Sequence, residues 1–127
     1  DLTVFASYYE PWGYTPLESA AFAIPTITTS LSGFGLWVKS VSVDPERAEN
    51  MKDGIAVVTR IDSNREAVVD RISSLIAYYG NMDETERKAL GRSAARIAAK
   101  AEWKNFYVAY RKAYDIALSK ANLRKNA

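Results

Sequence analysis

The chain has 127 residues, 48% of them hydrophobic and 25% charged, with a formal net charge of +2, the profile of one ordinary globular domain. It contains no cysteine and no histidine, which excludes disulfides, thiolate chemistry, histidine acid–base catalysis and His-ligated metal sites. Basic residues are interleaved with acidic ones except at the C-terminal end, against a dedicated nucleic-acid surface; no apolar run approaches the ~20 residues of a membrane span, and no signal peptide is visible.

Leu2 to Ala6 is a short β-rich apolar run and predicts a buried strand. The chain opens directly on this run without Met and reads as a piece of something longer. Tyr8 to Tyr14 contains Pro11 and Gly13 and predicts a loop. A helix follows, with Thr15 as N-cap, Pro16 at the first helical position and Glu18 closing a capping box, stopped by Pro25. Thr26 to Thr29 predicts the second strand, and Ser32-Gly33-Phe34-Gly35 a loop. Residues 36–54 read two ways, with apolar Leu36-Trp37-Val38 and a turn at Asp44-Pro45-Glu46-Arg47. Ile55 to Val58 is the third strand. A capping box from Ser63 to Glu66 opens a helix with Val68, Ile72, Leu75, Ile76 and Tyr79 on its apolar face, ended by Gly80. Asp83 with Glu86 opens the next, with Leu90, Ala94, Ile97, Ala98 and Ala101 along one side. A last helix carries Trp103, Phe106, Tyr107, Tyr110 and Tyr114 at helical spacing. The basic end from Lys120 to Lys125 reads as a solvated, fraying tail.

Strands alternating with helices predict an α/β fold, a partial Rossmann-like parallel sheet of about three strands with a helical C-terminal end. Three strands are few for such a sheet, which suggests neighbours elsewhere. Residues 1–127 form one domain, with a strand–loop–helix core over 1–62 and C-terminal helices over 63–127.

The chemistry sits between Phe5 and Ala23. In an α/β sheet, ligands bind beyond the C-terminal ends of the strands, and Glu10 lies on a loop at such an end. The helix beginning near Thr15 points free N–H groups at that loop, a site suited to a diphosphate. Gly13 lets the backbone approach a ligand. Glu10 and Glu18 could accept hydrogen bonds from sugar and ribose hydroxyls. The plainer readings are that Glu18 only closes a capping box, that Glu10 is an ordinary exposed loop residue, and that Trp12 and Tyr14 pack.

The run Ser7-Tyr8-Tyr9-Glu10-Pro11-Trp12-Gly13-Tyr14-Thr15-Pro16-Leu17-Glu18 resembles the donor-site signature of the glycogen (starch) synthase family, retaining glycosyltransferases of the two-domain GT-B fold. Ile24-Pro25 and Thr28-Thr29-Ser30-Leu31-Ser32-Gly33-Phe34-Gly35 extend the likeness toward the animal and fungal branch, which also has bacterial members. The match is strong over residues 4–35 and patchy beyond. The resemblance implies a chain from the C-terminal half of a nucleotide-sugar domain. Glu10 would be the catalytic-centre carboxylate beside the donor glucose. Trp12 and Gly13 would contact the glucose, largely through backbone groups. Tyr14 and Thr15 would border the diphosphate, and Glu18 would hold the ribose. The implied reaction transfers glucose from UDP-glucose or ADP-glucose to an α-1,4-glucan with retention, in the cytoplasm, without metal or other cofactor. The implied partners are donor, glucan acceptor and an N-terminal domain of the same protein. The chain alone is expected to be inactive. The alternatives are a non-catalytic nucleotide-sugar-binding module and a GT-B transferase with another acceptor.

Three departures stand out. Ala23 replaces the family's usual Gly before Ile-Pro, which reads as a packing variation. Asp1 stands where regulated members carry a His linked to glucose 6-phosphate binding. Their arginine-dense helix is thinned here to Arg87, Lys88, Arg92 and Arg96, which reads as a solvated helix face. The aromatic stripe from Trp103 to Tyr114 reads as core. Any part of it left uncovered predicts self-association, seen as apparent mass rising with concentration in light scattering.

Overall fold

Thr3–Val4 (β1), Thr26–Thr29 (β2) and Ile55–Val58 (β3) pair as a parallel sheet in the order β1-β2-β3 in the computed structural model, which describes residues 1–125. The register sets Thr3 beside Thr26, and Ile27 beside Ala56. β1 is shorter than the expected Leu2–Ala6, although Phe5 N–H still donates to Ile27 O at 2.8 Å. Among the described residues six helices accompany the sheet: α1 Tyr14–Ala21, α2 Gly33–Val41, α3 Pro45–Glu49, α4 Arg65–Gly80, α5 Glu84–Ala99 and α6 Trp103–Lys125.

The consecutive apolar residues of β3 serve two cores. Ile55 and Val57 point to one face, where they join Ala20 of α1, Phe34 and Val38 of α2, and Ala94 and Ile97 of α5. Ala56 and Val58 point to the other, with Ile27, Val68, Leu75 and Tyr79. This is the period-two alternation of a strand covered on both faces. The buried threonines of β2 are hydrogen-bonded, as buried hydroxyls must be: Thr26 Oγ1 donates to Ile24 O at 2.9 Å, and the Thr28 and Ser32 hydroxyls pair at 3.1 Å.

Several local expectations give way. The segment read as a loop at Ser32–Gly35 is the start of α2, with Ser32 as N-cap accepting from Gly35 N–H at 2.9 Å. The turn at Asp44 is a cap as well, for the five-residue α3. Thr15 caps nothing. α1 begins two residues earlier, behind Gly13, and Thr15 and Pro16 lie inside its first turn, where a missing N–H costs no helix bond. The box at Ser63–Glu66 is not formed either. Asn64 holds the N-cap position, and its side chain bonds Ile61 N–H and Thr59 O instead. On α4, Ile76 turns outward while Val68, Leu75 and Tyr79 are buried. The box at Asp83–Glu86 is reciprocal, as expected. α6 runs through the basic end as far as Lys125; Asn126 and Ala127 lie outside the described residues.

Ala23 is a finding about backbone rather than packing. α1 closes with Ala23 N–H on Ala20 O at 3.0 Å and Ile24 N–H on Ser19 O at 3.1 Å. That is the Schellman pattern, which wants a left-handed residue at the position after the cap. Ala23 occupies it with φ +59°. Glycine is favoured there for its freedom from the Cβ clash.

Candidate functional site

The segments that follow the three strands converge at one end of the sheet. Glu10 sits on the loop after β1 and pairs its backbone with Ser32, the cap of α2. Glu10 N–H donates to Leu31 O at 3.1 Å, Gly33 N–H to Glu10 O at 3.1 Å, and Phe34 N–H to Trp12 O at 2.6 Å. The approach is so close that a Cβ on Gly33 would stand 2.3 Å from Pro11 O. A Cβ on Gly35 would stand 2.2 Å from Thr29 O. The string Thr28–Gly35 is therefore the seat on which the string Glu10–Gly13 rests.

Gly13 turns the chain from that seat into α1 with φ +114°, and a Cβ there would meet Phe34 Cβ and Pro16 Cγ at 3.1 Å. The Glu10 carboxyl carbon lies 3.4 Å from the same point. Its carboxylate accepts from Ser7 Oγ at 3.0 Å, and no cation pairs with Glu10 or Glu18 among the described residues. Both stay available to hydroxyl donors. The amides of Tyr14 and Thr15 have no acceptor among the described residues, so the start of α1 offers two N–H groups and the positive end of its dipole. Glu10, Gly13, Tyr14 and Thr15 are thus brought together. Glu18 stands apart on the second turn of α1, exposed and without a bond to Glu10.

The Trp12 side chain packs away from this opening. Its ring lies 6.4 Å from Phe34, 6.0 Å from Trp37 and 6.2 Å from Phe106 of α6. Only its backbone faces the loop's interior bonds. Beyond Phe106 the aromatic stripe is not core: Trp103 is 65% and Tyr114 58% exposed. An apolar cleft of about 290 Å³ runs between the start of α1 and the root of α6, lined by Trp12, Tyr14 and Leu17 on one side.

Residues that the sequence did not single out complete the site. Thr29 Oγ1 donates to Ser7 O at 2.7 Å, Arg60 Nη1 to Ala6 O at 2.9 Å, and the Tyr8 hydroxyl to Asp62. The Arg60 guanidinium also lies 4.9 Å from the Tyr8 ring centroid. The hydrogen bond to Asp62 pushes the Tyr8 hydroxyl above the usual phenol range, aided by the carboxylate's charge. Tyr8 and Thr29 lay inside the two motif strings without a role of their own, and for Arg60 and Asp62 the sequence signal was position, just past the end of β3, where an α/β sheet carries its ligand loops.

At the opposite end of the chain's first strand, Arg87 is not simply solvated. Its guanidinium lies 5.2 Å from the Tyr79 ring centroid and donates to Gly80 O at 2.8 Å. It borders a cleft of about 400 Å³ with Asp1, Ala23 and Lys88. Lys88, Arg92 and Arg96 are exposed.

A family model described as glycogen synthase matches residues 1–126. The chain is 36% identical over 121 residues to a glycogen [starch] synthase of Neurospora crassa, covering 94% of this chain and 16% of that protein. It is 34% identical over 119 residues to one from Caenorhabditis elegans, covering 94% and 17%. It is 32% identical over 120 residues to isoform 1 from Saccharomyces cerevisiae, covering 94% and 16%. The chain thus spans about a sixth of the length of the curated relatives it matches. With the two motif strings joined as seat and loop, and the match running almost end to end, the chain belongs to the glycogen synthase family.

Proposed function

We propose that this chain supplies part of the donor site of a GT-B glycosyltransferase that moves glucose from UDP-glucose or ADP-glucose to an α-1,4-glucan with retention, in the cytoplasm. The observation that carries the reading is the opening at Gly13. A carboxylate, Glu10, sits beside a glycine turn and two unpartnered helix amides. As the glycosidic bond of the donor breaks, negative charge builds on the departing diphosphate. The Tyr14 and Thr15 N–H groups and the α1 dipole are fixed in advance to receive that charge. Glu10 lies where it would accept from the hydroxyls of the glucose or balance positive charge at its reacting carbon. The backbone of Trp12 and Gly13 would line the sugar, and Glu18, one turn along α1, would accept from the ribose hydroxyls.

Diphosphate neutralisation by helix amides needs no metal. Acceptor binding and the basic side chains over the diphosphate are assigned to the rest of the parent protein, so these 127 residues alone would not transfer glucose. The uncovered stripe on α6 favours self-association of the isolated chain.

The test is Glu10→Gln in the full natural chain, assayed with both donors for labelled glucose entering glycogen. Turnover should fall by about 100-fold or more while nucleotide binding is kept, as for a group acting mainly in the transition state. Undiminished turnover, or nucleotide binding with no turnover in the parent itself, would replace the enzyme reading with a binding module.

A further inference from the structure

We propose that Tyr8 is a positioning residue for Glu10, latched by Arg60 and Asp62 across the mouth of the sheet. The proposal deepens the donor-site reading and rests on it for its kinetic arm.

The loop from Phe5 to Gly13 is held unevenly. Its second half is fixed on the start of α2 through Glu10 and Trp12. Its first half crosses open surface, where Tyr8 and Tyr9 are both exposed. Beyond the Phe5 N–H bond to Ile27 O, the restraints on this half come from the end of β2 and the segment after β3. Thr29 holds the Ser7 carbonyl, and Arg60 holds the Ala6 carbonyl while its guanidinium covers the Tyr8 ring. Arg60 is itself fixed, since its N–H donates to Ser30 Oγ at 3.0 Å. Asp62 takes the Tyr8 hydroxyl, 54 residues away in sequence.

An exposed tyrosine that merely shielded the surface would have no need of partners for ring and hydroxyl together. Both are engaged here, by neighbours two residues apart in one segment. The next link is short. Ser7, adjacent to Tyr8, donates its hydroxyl to Glu10 Oε2 at 3.0 Å. Holding Tyr8 therefore holds Ser7, and Ser7 orients the carboxylate. A displacement of about 1 Å at a reacting group can cost about 100-fold in rate, so a slack first half would matter. The bond to Asp62 shifts the Tyr8 hydroxyl upward, in the sense that favours its role as donor.

The experiment uses the full chain with Tyr8→Leu, Tyr8→Phe, Asp62→Ala and the Tyr8→Phe/Asp62→Ala double variant. Tyr8→Leu should lower kcat about tenfold or more with the donor KM moved less than about threefold, because orientation acts on the transition state. The two mild variants should each lower kcat by a few fold, and their double by no more than either alone, since both remove one bond. Amide hydrogen exchange at Glu10 and Gly33 should quicken in Tyr8→Leu while β3 amides stay unchanged. Additive effects in the double variant, or quickened exchange with unchanged kcat, would overturn the proposal. Wild-type exchange in Tyr8→Leu would do the same. If the parent shows no glucosyl transfer at all, the donor-site reading fails by itself. Exchange then decides the latch: quickening at Glu10 supports it, and no change overturns it.

Discussion

Helices α1 and α2 begin against the same loop and use their unpaired amides in opposite ways. At α2 all of the first amides are consumed: Gly33 and Phe34 donate to the loop carbonyls of Glu10 and Trp12, Gly35 to the Ser32 hydroxyl, and Leu36 to Ser32 O. At α1 those of Tyr14 and Thr15 are left open, Pro16 has none to offer, and the first helical bond, Leu17 N–H to Gly13 O, is 3.4 Å long. One helix start builds the loop and the other is kept for what the loop binds. A donor N–H cannot do both, and here the two tasks fall to two helix starts.

The contrast can be broken at several points. The largest effect is expected from Gly33→Ala, whose new Cβ would stand 2.3 Å from Pro11 O, a backbone atom that cannot swing away. The loop must lift, and stability should fall by about 2 to 3 kcal/mol in urea unfolding, the upper range for overpacking. A wild-type midpoint would mean that the two strings are not seat and loop.

Next come the two cap candidates. Ser32→Ala removes a true cap and should cost about 1 kcal/mol. Thr15→Ala removes an exposed first-turn hydroxyl and should cost less than about 0.5 kcal/mol. Equal losses in paired thermal melts would restore Thr15 as the cap of α1. At the far end of α1 the expected change has the opposite sign. Ala23→Gly relieves a left-handed alanine and should raise stability by about 0.5 to 1 kcal/mol, after the flexibility glycine adds to the unfolded chain. A loss on that substitution would show that the Ala23 methyl matters more than its φ.

Much of this was legible in the residues. The four apolar residues of β3, the Asp83–Glu86 box and a loop through Gly13 that leads into a helix follow from local chemistry. The site string was readable as a family signature. What local chemistry could not show were the demands of distant atoms. Gly33 and Gly35 look like loop residues, yet they are glycines because Pro11 O and Thr29 O come too near for a side chain. Phe34, Trp37, Val38 and Val41 already had helical spacing behind Ser32, and the glycines masked it. Thr15 is a good cap by type, but docking at Gly13 fixes the helix start two residues earlier. The Tyr8–Asp62 pair joins residues too far apart in sequence for any periodicity to reveal.

The exposed course of α6 has a thermodynamic consequence. At 23 residues it is about 35 Å long, and a helix owes most of its stability to an apolar face packed on something else. Here the packing is concentrated at the root, where Phe106 meets Trp12 and Trp37 at 6.2 and 6.3 Å. The rod should therefore melt at a lower free energy than the sheet, as a separate cooperative unit. Because two of the three tryptophans border Phe106, their fluorescence would register that first event. Emission and far-ultraviolet dichroism would then trace different unfolding curves from one sample.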